Sequence, residues 1–158
     1  MLMFALLAST QSIAEELVPL ERWATTLPKW TEDISEVAYA TTRCGTLFMV
    51  IGGVFIQNAA KDEDIQNGKD VGDRGLELTL FGNLLSETIG SSKENQLARS
   101  SLLLKSYAER IARNRRLHNN MFHGHIQSDY KFCLILEAQQ RELKERNGTE
   151  KNQIDRKR

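Results

Sequence analysis

Two cysteines, Cys44 and Cys133, are the only thiols in this 158-residue chain. In an oxidising compartment a lone pair of thiols is expected to close into one disulfide, and here it would join positions 89 apart. A loop of that length stabilises the fold by roughly 4–5 kcal/mol in the chain-entropy picture. No C-x-x-C pair is present, so the expectation is a structural bridge and not a redox centre. The three histidines, His118, His123 and His125, fall close together, with Asp129 one helical turn beyond the last. Imidazole nitrogens with a carboxylate suit Zn, Cu or Ni, which makes these four a candidate metal set. Their spacing matches no established ligand pattern, and the plainer reading is loop histidines around the turn residue Gly124, with His118 compensating a helix dipole. Arg110, Arg113, Arg115 and Arg116 form a basic run that could face an anionic partner. Export would remove nucleic acid from the candidates, and without interleaved aromatic residues the run reads first as a solvated helix face.

The searches that fail narrow the function further. There is no G-x-S-x-G, H-E-x-x-H, P-loop or G-x-G-x-x-G, and no Glu-x-x-His pair of the kind found in di-iron bundles. Glu36 and Glu137 lie near apolar faces, but a lone carboxylate is ordinarily a helix-surface group. An enzyme is therefore not expected, and no cofactor is implied beyond the metal alternative.

The elements that must position these residues read as helices. Only two prolines interrupt a chain rich in Leu, Ala, Glu, Gln, Lys and Arg, and the expected class is all-α: an antiparallel up-and-down bundle of about four helices, residues 31–147, with no internal repeat. The first helix, 31–60, takes Thr31 as N-cap and is the core element. Residues 44–60 carry no charge and would measure about 26 Å as a helix, just short of a membrane's hydrocarbon core. A buried core helix is preferred to a single membrane span there, with Gly52 and Gly53 marking a kink or a close-packing point. Residues 61–75, with three glycines, are expected to be a loop. Acidic residues there do not match a calcium-binding loop. A second helix follows from Leu76 to Ile89, with Leu76, Leu80, Phe81, Leu84 and Leu85 turned inward. A third, capped by Ser91, runs to about Leu117 and buries Leu97, Leu104, Ala108, Ile111 and Ala112. A fourth, capped by Ser128, runs to about Arg146 with Phe132, Cys133, Leu136 and Leu143 inward, and Gly148 ends it. Residues 148–158 are expected to be a charged, flexible tail.

One difficulty attends the bridge. In a simple up-and-down bundle the last helix begins opposite the far end of the first, whereas Cys44 is mid-helix. The two sulfurs meet only if the helices are offset or the kink folds the end of the first helix away.

Ahead of the bundle, residues 15–30 hold both prolines and both tryptophans, an irregular lead-in in which Trp23 and Trp30 are candidate lids. Residues 1–14 are uncharged, open with an apolar block and end in Ser12-Ile13-Ala14, the form of a secretory signal peptide cut after Ala14. The basic start of such a segment is missing, so the signal is weak or the true start lies upstream of Met1. Charge is uneven, with three basic and six acidic side chains in 15–43 against seven basic and two acidic in 93–116. At zero net charge this reads as helix faces that attract one another. Together these features predict a small periplasmic or extracellular helical protein, a non-catalytic protein-interaction or structural module of unspecified oligomeric state, with a cytoplasmic or membrane-anchored protein as the alternative.

Overall fold

The computed structural model describes residues 17–155, with side chains through residue 142. The expected signal peptide lies outside the described residues. Within them the chain is all-helical, with α1 (Leu20–Thr26), α2 (Ile34–Gln57), α3 (Asp62–Thr88), α4 (Lys93–His118) and α5 (His125–Asp155). One turn of 3-10 helix, Trp30–Glu32, precedes α2. This places the start of α2 three residues after the expected cap. Asp33 fills that role instead, accepting from the Ser35 N–H at 2.8 Å and its hydroxyl at 2.6 Å. The helix ends where the Asn58 side chain turns back to the Val54 carbonyl at 2.6 Å.

Helix α3 departs most from expectation. It begins at Asp62, because the glycines taken as loop residues lie inside a helix whose first turn is Asp62, Glu63 and Asp64, three negative charges at the positive end of the dipole. Each interior glycine costs about 1 kcal/mol against alanine. What offsets that cost is contact with α2. A Cβ on Gly75 would lie 2.6 Å from the Gly45 carbonyl oxygen and 2.6 Å from the Met49 nitrogen. A Cβ on Gly52 would lie 2.5 Å from the Gly68 carbonyl oxygen, and one on Gly82 would run into Thr42. The two backbones therefore touch along a seam of small residues, Ala38, Gly45 and Gly52 against Gly82, Gly75 and Gly68, each series stepping by seven. Such a step keeps one face turned to a partner at a shallow crossing angle. It is the periodicity that the sequence reading did not detect. Hydroxyls in the seam bond to their own helix: Thr46 to the Thr42 carbonyl, Thr79 to Gly75 and Ser86 to Gly82, at 2.8–2.9 Å.

Because small residues occupy the inner face, the leucines of α3 point the other way. Leu76, Leu80, Phe81 and Leu84, expected in the core, are exposed, Leu80 by 55% and Leu84 by 59%. At about 100° per residue they fall on the side of the helix opposite Gly68, Gly75 and Gly82. Helix α4 corrects in the same sense. Ser92, one residue after the expected cap, accepts from the Asn95 N–H. Leu97 is 71% exposed, and Leu104, Ala108 and Ala112 also face solvent, while Leu103, Tyr107 and Ile111 are buried.

Helix α2 is the central element, packed against α3, α4 and α5. It is long and apolar enough to cross a membrane, yet 61% of that window is buried inside the protein, the situation of a core helix. Gly52 and Gly53 do not interrupt it: Gly52 is the close-packing point against α3, and Gly53 meets nothing. Trp23 packs against Trp30 and Tyr39, and Trp30 against Phe132, forming an aromatic lid at the entry to the bundle. Helix α5 starts one turn earlier than expected and continues through Gly148, since a single glycine among good helix formers is a small cost. Its contacts with α2, made from Asp129 to Gln140, fall on residues 41–48, the middle of that helix. That is how a mid-helix Cys44 meets Cys133: α5 lies across α2 instead of running from its far end.

Candidate functional site

The Cys44–Cys133 disulfide is formed, with Cα atoms 5.2 Å apart, and it is fully buried. Next to it on both helices lies a pair of charges that the sequence reading did not join. Arg43 precedes Cys44, and Asp129 sits one turn before Cys133. Both are buried, Arg43 to 1% and Asp129 to 0% exposure, with Nη2 of Arg43 2.7 Å from Oδ2 of Asp129. The signal was available in the spacing, because a bridge between Cys44 and Cys133 brings their neighbours together as well.

A buried ion pair is tolerable only when its remaining donors and acceptors are met. Here they are. Arg43 Nε donates to the Tyr107 hydroxyl at 2.8 Å, Nη1 to the Tyr39 hydroxyl at 3.2 Å, and Nη2 to the Val18 carbonyl at 2.6 Å as well as to Asp129. Asp129 Oδ1 accepts the Leu20 N–H at 2.6 Å, and Oδ2 accepts the Tyr107 hydroxyl at 2.5 Å. Both hydrogens on Nη2 are thereby used. His125 Nε2 therefore carries its own hydrogen toward Asp129 Oδ2, 3.3 Å away, and Nδ1 accepts from Arg110 Nη1 at 3.2 Å. Four elements, the segment before α1 and helices α2, α4 and α5, are tied at one point.

The electrostatics follow from the same contacts. Burial alone would push the Asp129 carboxyl up, but the hydrogen bond from His125, the Arg43 charge, and the bonds from Tyr107 and the Leu20 N–H outweigh it, and its pKa is lowered. For Tyr107, burial and the neighbouring Asp129 charge hold the pKa well above 10, against the opposing effect of Arg43. Burial disfavours the Arg43 cation, yet Tyr107, Asp129 and Tyr39 raise its pKa above the ordinary arginine value. Arg43 and Tyr107 are thus held protonated and Asp129 ionised around neutral pH, with no open coordination position and no free nucleophile among them. Its chemistry is that of a clamp.

The expected metal set is not assembled. His118 and His123 stack face to face with ring centroids 3.7 Å apart, a geometry that lays the rings parallel in place of aiming nitrogens at a shared point. His125 and Asp129 are turned to arginines. Among the described residues no group of three or more His, Cys, Asp or Glu is placed to hold a metal ion. Glu137 is paired with Arg74 at 3.2 Å and Arg141 at 3.1 Å.

The basic run divides. Arg115 reaches the Asn58 side chain at 2.6 Å, beside the α2–α3 connection, and Arg116 is exposed. Arg110 and Arg113 instead line a cavity of about 190 Å³ at the corner where α4 passes into α5, together with Asn114, His123, Gly124 and His125. The corner is held in shape by Asn114, whose amide donates to the carbonyls of Met121 and His123 at 3.0 and 2.9 Å. Gly124, at φ +52°, makes the left-handed step into α5.

Comparison with protein-family models, with characterised proteins and with solved structures finds no match to this chain. The class that fold and site define is a disulfide-braced, all-helical domain clamped by a buried Arg–Asp pair.

Proposed function

We propose that the chain is a small exported protein that acts by binding another protein, in the periplasm or outside the cell, and that the outer stripe of α3 is its contact face. Two features support export: an internal disulfide, which oxidising compartments preserve and the cytosol does not, and the uncharged start ending in Ser12-Ile13-Ala14. The observation that carries the binding assignment is the alignment of Leu76, Leu80, Phe81 and Leu84 on one side of one helix, all exposed. Single exposed leucines are ordinary on a protein surface, whereas aligned ones on a helix whose other face is already occupied mark a surface that another molecule covers.

The test places a photo-crosslinking side chain at Leu80 in the full chain, expressed in its native host, with the exposed Lys105 of α4 as the control position. The expected result is one discrete heavier adduct from Leu80 and none from Lys105. No adduct from Leu80, or equal labelling at both positions, would refute the assignment.

A further inference from the structure

The cavity at the α4–α5 corner lies apart from the α3 face and shares His125 with the clamp. Its charge has one sign. Arg110, Arg113, His123 and His125 line it, and no acidic side chain among the described residues contributes to the lining. Asp129 lies behind His125, but it is fully buried and already held by Arg43. Neither Arg110 nor Arg113 has a carboxylate partner among the described residues, in contrast to Arg74 and Arg141, which share Glu137. Two guanidinium groups that line one cavity without a counter-charge among the described residues suit an anion.

The corner adds neutral donors. The cavity opens at the first turn of α5, where His125 and Ile126 line it, and no side chain among the described residues accepts from the first-turn N–H groups of that helix. Helices α2 and α4 are capped by Asp33 and Ser92, whereas α1 and α3 also lack a side-chain cap bond. Backbone N–H groups at the positive end of a long helix add to the pull of the arginines on a tetrahedral oxyanion. One carboxylate would satisfy a single fork, while a phosphate has enough oxygens for both forks and the helix end. Water occupies about 30 Å³ in the liquid, so the cavity also has room for a phosphate with solvent or for a phosphate attached to a larger group.

We propose that this cavity is an anion subsite that takes a phosphate group, with Arg110 and Arg113 as the charged ligands and the first turn of α5 supplying N–H donors. The phosphate is either a free solute or a lipid headgroup. Calorimetric titration of the full, oxidised chain with inorganic phosphate at low ionic strength should give saturable binding at one site. Arg113→Gln, at an exposed position whose loss leaves the clamp intact, should weaken that binding by at least about tenfold, the scale of one charge-assisted contact. Arg116→Gln should leave it within about twofold. Helical content of each variant is checked by circular dichroism, and because the exposed Arg113 side chain has no hydrogen bond or ion pair among the described residues, its variant remains informative even if an Arg110 variant is unstable. Co-sedimentation with phosphatidic acid vesicles separates the sources: Arg113-dependent pelleting that phosphate competes away identifies a headgroup, and phosphate binding without pelleting identifies a solute. Titration that does not saturate, or that is the same in Arg113→Gln and the parent, would overturn the proposal.

Discussion

Replacing Gly75 by alanine should destabilise the fold, although alanine is the better helix former. The reasoning can be checked within a single helix, because Gly72 provides a matched comparison three residues away. A Cβ at Gly72 meets nothing within 4 Å, so Gly72→Ala should gain the intrinsic helix preference, about 0.8–1 kcal/mol. Gly75→Ala gains the same amount and then meets the α2 backbone at 2.6 Å on two sides. Relief requires the helices to part by about 1 Å at that layer, since backbone cannot swing aside as a side chain can. Overpacking of this kind costs about 1–3 kcal/mol, and the parting also loosens the neighbouring contacts at Gly45 and Gly52. After the helix preference is deducted, Gly75→Ala should be up to about 2 kcal/mol less stable than the parent, leaving the two variants about 1–3 kcal/mol apart. Urea denaturation followed by circular dichroism, with the disulfide intact and equal slopes in denaturant, measures this difference directly. Gly53→Ala, also free of contacts, should behave like Gly72→Ala. If Gly75→Ala is as stable as Gly72→Ala, α2 and α3 do not touch backbone to backbone, and the account of the seam is wrong.

Cys133→Ala should lower the unfolding free energy by roughly 4–5 kcal/mol, the worth of closing an 89-position loop, as read by denaturation against the oxidised parent. Arg43→Met should cost about 3–5 kcal/mol, because Asp129 is left buried without its cation, and calorimetric melting would show it. The folded pKa of Asp129 is lowered, so its stabilising contribution is complete above the unfolded carboxylate value of about 3.9 and disappears as pH falls through that value toward the folded one. Stability of the parent should therefore fall below about pH 4, and Asp129→Asn should flatten that fall while lowering stability at pH 7. Leu80→Asp should change stability by no more than about 0.5 kcal/mol, as expected of a solvent-facing position, and a loss of several kcal/mol would place the leucine stripe in the core after all.

The helical class, the central role of α2 and the Cys44–Cys133 pairing were legible in residue composition and pattern. So was α4, within a residue or two at each end. What failed was the rule that large apolar side chains mark the buried face. In α3 that rule put Leu76, Leu80 and Leu84 inside, because it assumes that helices approach at the distance set by leucines. When backbones touch, glycine is the core residue: Gly68 and Gly75 were counted as loop formers, and Gly82, inside the expected helix, was passed over beside its leucines. The seven-residue step shared by Ala38, Gly45 and Gly52 was the available signal. Of the site, the histidines and arginines drew notice as groups close in sequence, whereas the structure sorts them by direction around a helix. His118 stacks on His123, and Arg115 points away from Arg110 and Arg113. The Arg43–Asp129 contact joins residues distant in sequence, and its one trace there is that each lies within a helical turn of a cysteine expected to pair.

The nearness of the ion pair to the cysteines bears on the order in which the molecule matures. Arg43 and Asp129 attract each other whether or not the sulfurs are oxidised, and their meeting sets Cys44 opposite Cys133. Where α5 docks before oxidation, the bond is written onto an arrangement already reached. A chain that meets oxidant before α5 has docked carries two thiols with no neighbour in the same molecule, and the nearest available partner is another copy. The clamp thus sets a race between intramolecular docking and oxidation, and a variant that slows docking should reveal itself as covalent oligomers long before it shows any loss of helix.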